Sequence, residues 1–166
     1  MIKRLAAVCS LLILAACGSS KREVMQSVKD KHLLQEKTVN DYVFRLQYMP
    51  PEKVADDTAL LYFRLNITNS QTRQIKGTSD QGASYGLDTL FCLVAGTDTL
   101  IPVDVNRIAN GTLNGAEYML VFDKQAVRRQ PESRLVFRDW LFTHQYLVFP
   151  VSGSAISQID SLSLNI

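Results

Sequence analysis

The chain has 166 residues, 46% of them apolar and 20% charged, which is the balance of a globular protein and not of a disordered one. Its 18 basic and 16 acidic side chains leave a net charge of +2, too small an excess to hold a phosphate backbone, so nucleic-acid binding is set aside. Three cysteines and two histidines are too thin a supply for a zinc centre, which needs three or four convergent ligands.

Lys3 and Arg4 form a short positive start, followed by a predominantly apolar run from Leu5 to Leu14. That run has the length of a signal-peptide core and is far short of the roughly 20 apolar residues that span a bilayer. It ends in Leu14-Ala15-Ala16-Cys17-Gly18. The string resembles the lipobox of bacterial lipoproteins, an apolar branched residue and two small ones before an obligatory cysteine. The resemblance implies a signal peptide over 1–16, cleavage before Cys17, a diacylglycerol on the Cys17 thiol and acylation of the new amine. Each buried methylene of an acyl chain contributes ~0.8 kcal/mol, so two or three chains on one residue should anchor the protein durably. By the same resemblance, Gly18 in place of a retaining Asp implies the outer membrane, with the face left open. The expected location is therefore the cell envelope, with the membrane as a partner through lipid on Cys17.

Loss of the signal removes Lys3 and Arg4 from the 18 basic residues and leaves 16 against 16 acidic ones. Cys9 departs with the signal and Cys17 is consumed by acylation, so Cys92 remains alone and no intramolecular disulfide is expected. Within Leu90-Phe91-Cys92-Leu93-Val94 it reads as a small buried hydrophobe in a strand. Residues 17–40 are expected to be the lipidated N-terminus and a polar tether. Val24, Met25, Val28, Leu33 and Leu34 also permit a short amphipathic helix there.

Residues 41–166 are expected to form the folded domain. Tyr42, Phe44, Leu46 and Tyr48 alternate with polar residues until Pro50-Pro51, and Leu61, Phe63, Leu65 and Ile67 repeat the pattern. Asn69 to Ser84 is almost devoid of apolar side chains and predicts an exposed loop. Leu87 to Val94 and Thr99 to Val105 predict two strands joined by a hairpin at Ala95-Gly96-Thr97-Asp98, the second interrupted or at an edge because Pro102 cannot donate a ladder hydrogen bond. A strand over Glu117 to Asp123, a helical turn over Lys124 to Gln130, and strands at Arg134 to Trp140, Gln145 to Phe149 and Ser157 to Leu164 complete the chain.

Seven or eight short strands with no long helical pattern predict an all-β fold, a single antiparallel β-sandwich of immunoglobulin-like or related topology. The aromatic strand with its Pro-Pro stop, the Asp98 to Pro102 hairpin and the late strand Arg134 to Asp139 resemble small single-domain envelope lipoproteins of Bacteroidetes. That resemblance implies an envelope location and carries no activity.

The chemistry-bearing residues are sparse. His144 and Asp139 could in principle join a Ser-His-Asp arrangement, but no nucleophile-elbow sequence accompanies them. Asp56-Asp57 lacks the pattern of a calcium loop and reads as a cap. No catalytic residue, metal ligand or cofactor is therefore assigned. Trp140-Leu141-Phe142 is the exception among the aromatics, because three consecutive large apolar residues cannot all face inward from one regular strand. Either a bulge occurs or one is presented to a partner, which makes Trp140 and Phe142 the candidate contact residues. The expected function is a non-enzymatic interaction or accessory module of the envelope, with an envelope protein as partner. A glycan- or peptide-binding module is the alternative and a hydrolase the third.

Overall fold

The computed structural model describes residues 21–52, 59–71, 86–109, 111, 113–130 and 132–164. Cys17, the signal, Asp56-Asp57 and most of the predicted Asn69 to Ser84 loop lie outside these residues.

The first described element is helix α1, Lys21–Asp30, whose Val24 and Val28 lie one turn apart and are buried. Ten residues are too few for a stable helix in water, so the burial of this stripe is what holds it. It ends in a Schellman arrangement. His32 takes a left-handed conformation (φ 55°) and donates its amide to Lys29 O, and Leu33 N donates to Val28 O. Strand β1, Leu34–Val39, then pairs with β2, Tyr42–Met49, across a two-residue turn in which Asn40 has φ 52°. Asn tolerates that conformation, which a tight hairpin needs.

Strands β3 (Leu60–Asn69), β6 (Asp104–Arg107) and β7 (Gly115–Asp123) complete an antiparallel sheet of order β1-β2-β3-β7-β6, here called sheet I. Sheet II has the order β5-β4-β8-β9 and is made of β4 (Phe91–Ala95), β5 (Asp98–Leu100), β8 (Ser133–Asp139) and β9 (Gln145–Val151). A 3-10 turn over Leu87–Leu90 leads into β4. The inner faces of the two sheets share one core. Phe44 of β2 meets Phe137 of β8 at 6.1 Å, Tyr118 of β7 meets Phe91 of β4 at 6.2 Å, and Phe91 stacks on Phe137 at 4.6 Å.

Helix α2, Lys124–Arg129, starts where the Asp123 side chain caps Gln125 N at 2.7 Å. Helix α3, Gly153–Ser163, starts where Ser152 Oγ caps Ala155 N at 3.3 Å. Gly153 is required at the contact between the two helices, because a Cβ there would stand 2.5 Å from Val127 O. None of the described helices is long and apolar enough to cross a membrane.

This architecture corrects the expected fold. The chain is not an all-β single antiparallel sandwich of immunoglobulin-like type; the described residues form a mixed α/β fold with three α-helices and two separate open sheets. Three readings differ from the structure. The predicted strand Ser157 to Leu164 is part of α3, where buried Ala155, Ile156, Ile159 and Ser163 follow the spacing of one helical face. The predicted polar tether is folded from Lys21 onward, as α1 and β1. The predicted strand Thr99 to Val105 is two strands in different sheets, and the chain crosses between them at Pro102, which breaks the ladder.

Candidate functional site

The outward faces of the two sheets differ in how their charges are matched. On sheet I the outward arginines have partners, Arg45 with Glu36 at 2.7 Å across the β1-β2 pair and Arg64 with the buried carboxylate of Glu117. On sheet II, Arg134 and Arg138 project outward from β8, and neither is in an ion pair among the described residues. Their neighbours are apolar. Registration of β8 with β9 sets Arg134 against Pro150, Val136 against Val148 and Arg138 against Tyr146, while Cys92 and Val94 of β4 lie beside Val136 and Arg134. Tyr146 is 60% exposed, Trp140 50% and Val148 40%. An open groove of about 740 Å³ lies on this face, lined by Val94, Glu132, Arg134, Val148, Pro150 and Ser152.

The inward residues explain why these side chains point out. Leu135, Phe137, Leu147 and Phe149 are buried in the shared core, so the period of two sends Val136, Arg138, Tyr146 and Val148 to solvent. Pro150 is admitted because β9 is an edge strand, and its missing N–H discourages pairing with another strand. Its carbonyl accepts from Gln35 Nε2 at 2.6 Å.

Asp139 builds the turn that carries Trp140. The side chain is fully buried and accepts from Leu141 N (3.1 Å), Phe142 N (2.9 Å), Thr143 N (2.7 Å) and Thr143 Oγ1 (2.6 Å). A carboxylate wrapped by this many donors fixes the loop backbone. Trp140 therefore leaves β8 in a turn and not in a bulge, and its ring sits edge-on to Tyr146 at 5.6 Å and 79°. Leu141 and Phe142 fold back against the core, with Phe142 5.6 Å from Tyr42. Of the two candidate contact residues, Trp140 is presented and Phe142 is half-buried. His144 is exposed at the end of the turn with φ 57° and is not among these donors to Asp139, so the arrangement considered from sequence is not assembled.

A second polar cluster lies at the other end of the domain. Tyr48 Oη donates to Asp160 Oδ1 at 2.5 Å, and Lys124 Nζ pairs with Asp160 Oδ2, all three residues being buried. Burial first, then the hydrogen bond and the charge of Asp160, push the Tyr48 pKa far above the ordinary tyrosine value. The trio ties β2, α2 and α3 together and opens on no solvent surface. Tyr118 Oη is buried without a hydrogen-bond partner among the described residues; its pKa is raised by burial, with Arg107 opposing and Asp139 adding to the shift. Among the described residues no group of three His, Cys, Asp or Glu could hold a metal ion. Cys92 is free and buried on the outer side of β4, as its apolar surroundings predict.

Compared with known proteins, the chain matches no family model, no curated protein and no solved structure.

Sequence reasoning singled out Trp140 but missed Arg134, Arg138, Tyr146 and Val148. The available signal was Tyr146-Leu147-Val148-Phe149-Pro150-Val151, an edge strand apolar on both faces. An exposed edge strand without a polar face has a surface to cover.

Proposed function

We propose that the chain is a membrane-anchored envelope lipoprotein, lipidated at Cys17, whose folded domain is a non-enzymatic interaction module acting through the outer face of sheet II. One observation carries the second half of this reading: Trp140, Tyr146 and Val148 form an exposed apolar surface beside two arginines that lack ion-pair partners among the described residues. Tryptophan, tyrosine and arginine are the side chains that dominate binding energy at protein interfaces. The address rests on the Leu14 to Cys17 string, with the outer membrane favoured by Gly18.

A photoreactive residue at position 146, irradiated in native membranes, should give a covalent product with an envelope protein, and Trp140→Ala should abolish it without unfolding the domain. Absence of any product in membranes that contain the protein would count against the module. The glycan-binding reading uses the same face, with exposed Trp140 and Tyr146 as its platform. Glycan binding that disappears in Trp140→Ala would replace the protein partner by a saccharide. For the anchor, Cys17→Ala should accumulate as an uncleaved, unlipidated precursor.

A further inference from the structure

The two ends of the domain are chemically distinct, and β2 measures the distance between them. At one end Met49 and Pro50 line a small apolar cavity of about 110 Å³ together with Lys21, Val24 and Met25. Lys21 is pinned there by Glu52 at 3.2 Å. At the other end of the same strand, Tyr42 packs on Phe142 of the Asp139 turn, so Trp140 stands at that end. Eight residues of strand rise about 23 Å. Four residues from Cys17 to Lys21 reach at most about 14 Å when fully extended.

We propose that the lipid anchor holds the Lys21 end of the domain down on the bilayer with the Trp140 end raised, and that the outer face of sheet II, running along β8 from Arg134 to Trp140, docks an extended acidic and apolar segment of a partner protein. The proposal rests on the lipidation of Cys17 and goes beyond it by assigning an orientation and an occupant. The orientation follows from the covalent reach, which is shorter than the strand that separates the two ends. The occupant follows from charge and shape. Arg134 and Arg138 alternate with Val136 along β8, and Pro150, Val148 and Tyr146 stand opposite them on β9. An extended segment with carboxylates four residues apart and an apolar residue midway between them presents both on one face and matches that spacing. Glu132 also lines the groove, with Ser133 and Ser152, so the arginines and not the groove end carry the charge match.

Trp140 is the sole tryptophan of the chain, so its emission reports on this face alone. The lipidated full chain is reconstituted into phosphatidylcholine vesicles with plain or brominated acyl chains. The expected result is that bromination leaves the emission unchanged while aqueous acrylamide quenches it. Dimming by the brominated chains would place the face in the membrane and overturn the orientation. A chain that does not float with the vesicles would show instead that the anchor reading has failed, and the orientation with it. For the occupant, a synthetic peptide of repeating Glu-Ser-Val-Ser, which puts Glu and Val in turn on one face, should shift the emission saturably, with affinity about tenfold lower in Arg134→Glu/Arg138→Glu and falling with salt. Equal binding of the Lys-Ser-Val-Ser counterpart, or no response to the Glu-Ser-Val-Ser peptide, would overturn the acidic occupant.

Discussion

Asp139 and Asp160 are both buried carboxylates, one at each end of the domain, and they are satisfied in different ways. Asp139 is surrounded by backbone amides and one hydroxyl of its own turn, all within four residues of it. Asp160 is held by Lys124 and Tyr48, which lie on other elements and far away in sequence. Asp139 thus shapes a local loop and sets the pose of Trp140, whereas Asp160 fastens α3 to α2 and to sheet I. A charge matched by neutral local donors can be lost with local damage. A charge matched by a distant opposite charge cannot lose its partner without leaving an ion stranded in the interior.

The strongest way to test this contrast is to strand Asp160. Lys124→Met should cost about 3–5 kcal/mol in urea unfolding, and adding Asp160→Leu should recover much of it, because an apolar pair replaces an ion pair with little loss. A cost below about 1 kcal/mol for the single change would show that the pair is not a clamp.

Asp139→Ala should cost less, about 2–3 kcal/mol, since part of the freed backbone can turn to water. Its distinguishing sign is local: the emission of Trp140 should change while the Tyr48 end stays native. Asp139→Asn, which keeps one acceptor oxygen, should fall between the two.

Alkali sharpens the same comparison by a smaller amount. The pKa values of Tyr48 and Tyr118 are raised in the folded protein, so the unfolded chain releases these protons first. Stability from them is complete below the ordinary tyrosine value of 10.0 and should fall as pH rises above it. The slope approaches about 1.4 kcal/mol per pH unit for each tyrosine once the unfolded form is ionised. Unfolding at pH 9 and pH 11 measures this, and Tyr48→Phe should flatten part of the difference. The least effect on stability is expected for Trp140→Ala, within about 0.5 kcal/mol, because half of the side chain is already in water. A large loss there would mean that the ring belongs to the core and not to an interface.

Several elements were legible from short stretches of chain. The alternation of Tyr42 to Tyr48 and of Leu61 to Ile67 appears as β2 and β3, and Ala95 to Asp98 is a hairpin whose Gly96 has φ 61°. Trp140 was recognisable as anomalous because no regular strand can bury three large residues in a row. What escaped notice had weak local signals. Leu34–Val39 reads Leu-Gln-Glu-Lys-Thr-Val, polar enough for a linker, and becomes a strand because β2 offers it a ladder. Nothing in the sequence marks Tyr146 and Val148 as outward, since facing cannot be read where both faces of a strand are apolar.

By itself the sequence determined the Leu14-Ala15-Ala16-Cys17 string that resembles a lipobox, the alternating strands and the tight turns, because each is a property of neighbouring residues. Only the tertiary structure decided that Lys21–Val39 joins the domain, that Gly153–Ser163 is a helix, and that Arg134, Arg138, Trp140 and Tyr146 share one surface. The reason is physical. Short elements such as α1 and β1 are not stable alone, and what they become depends on the partner that buries them.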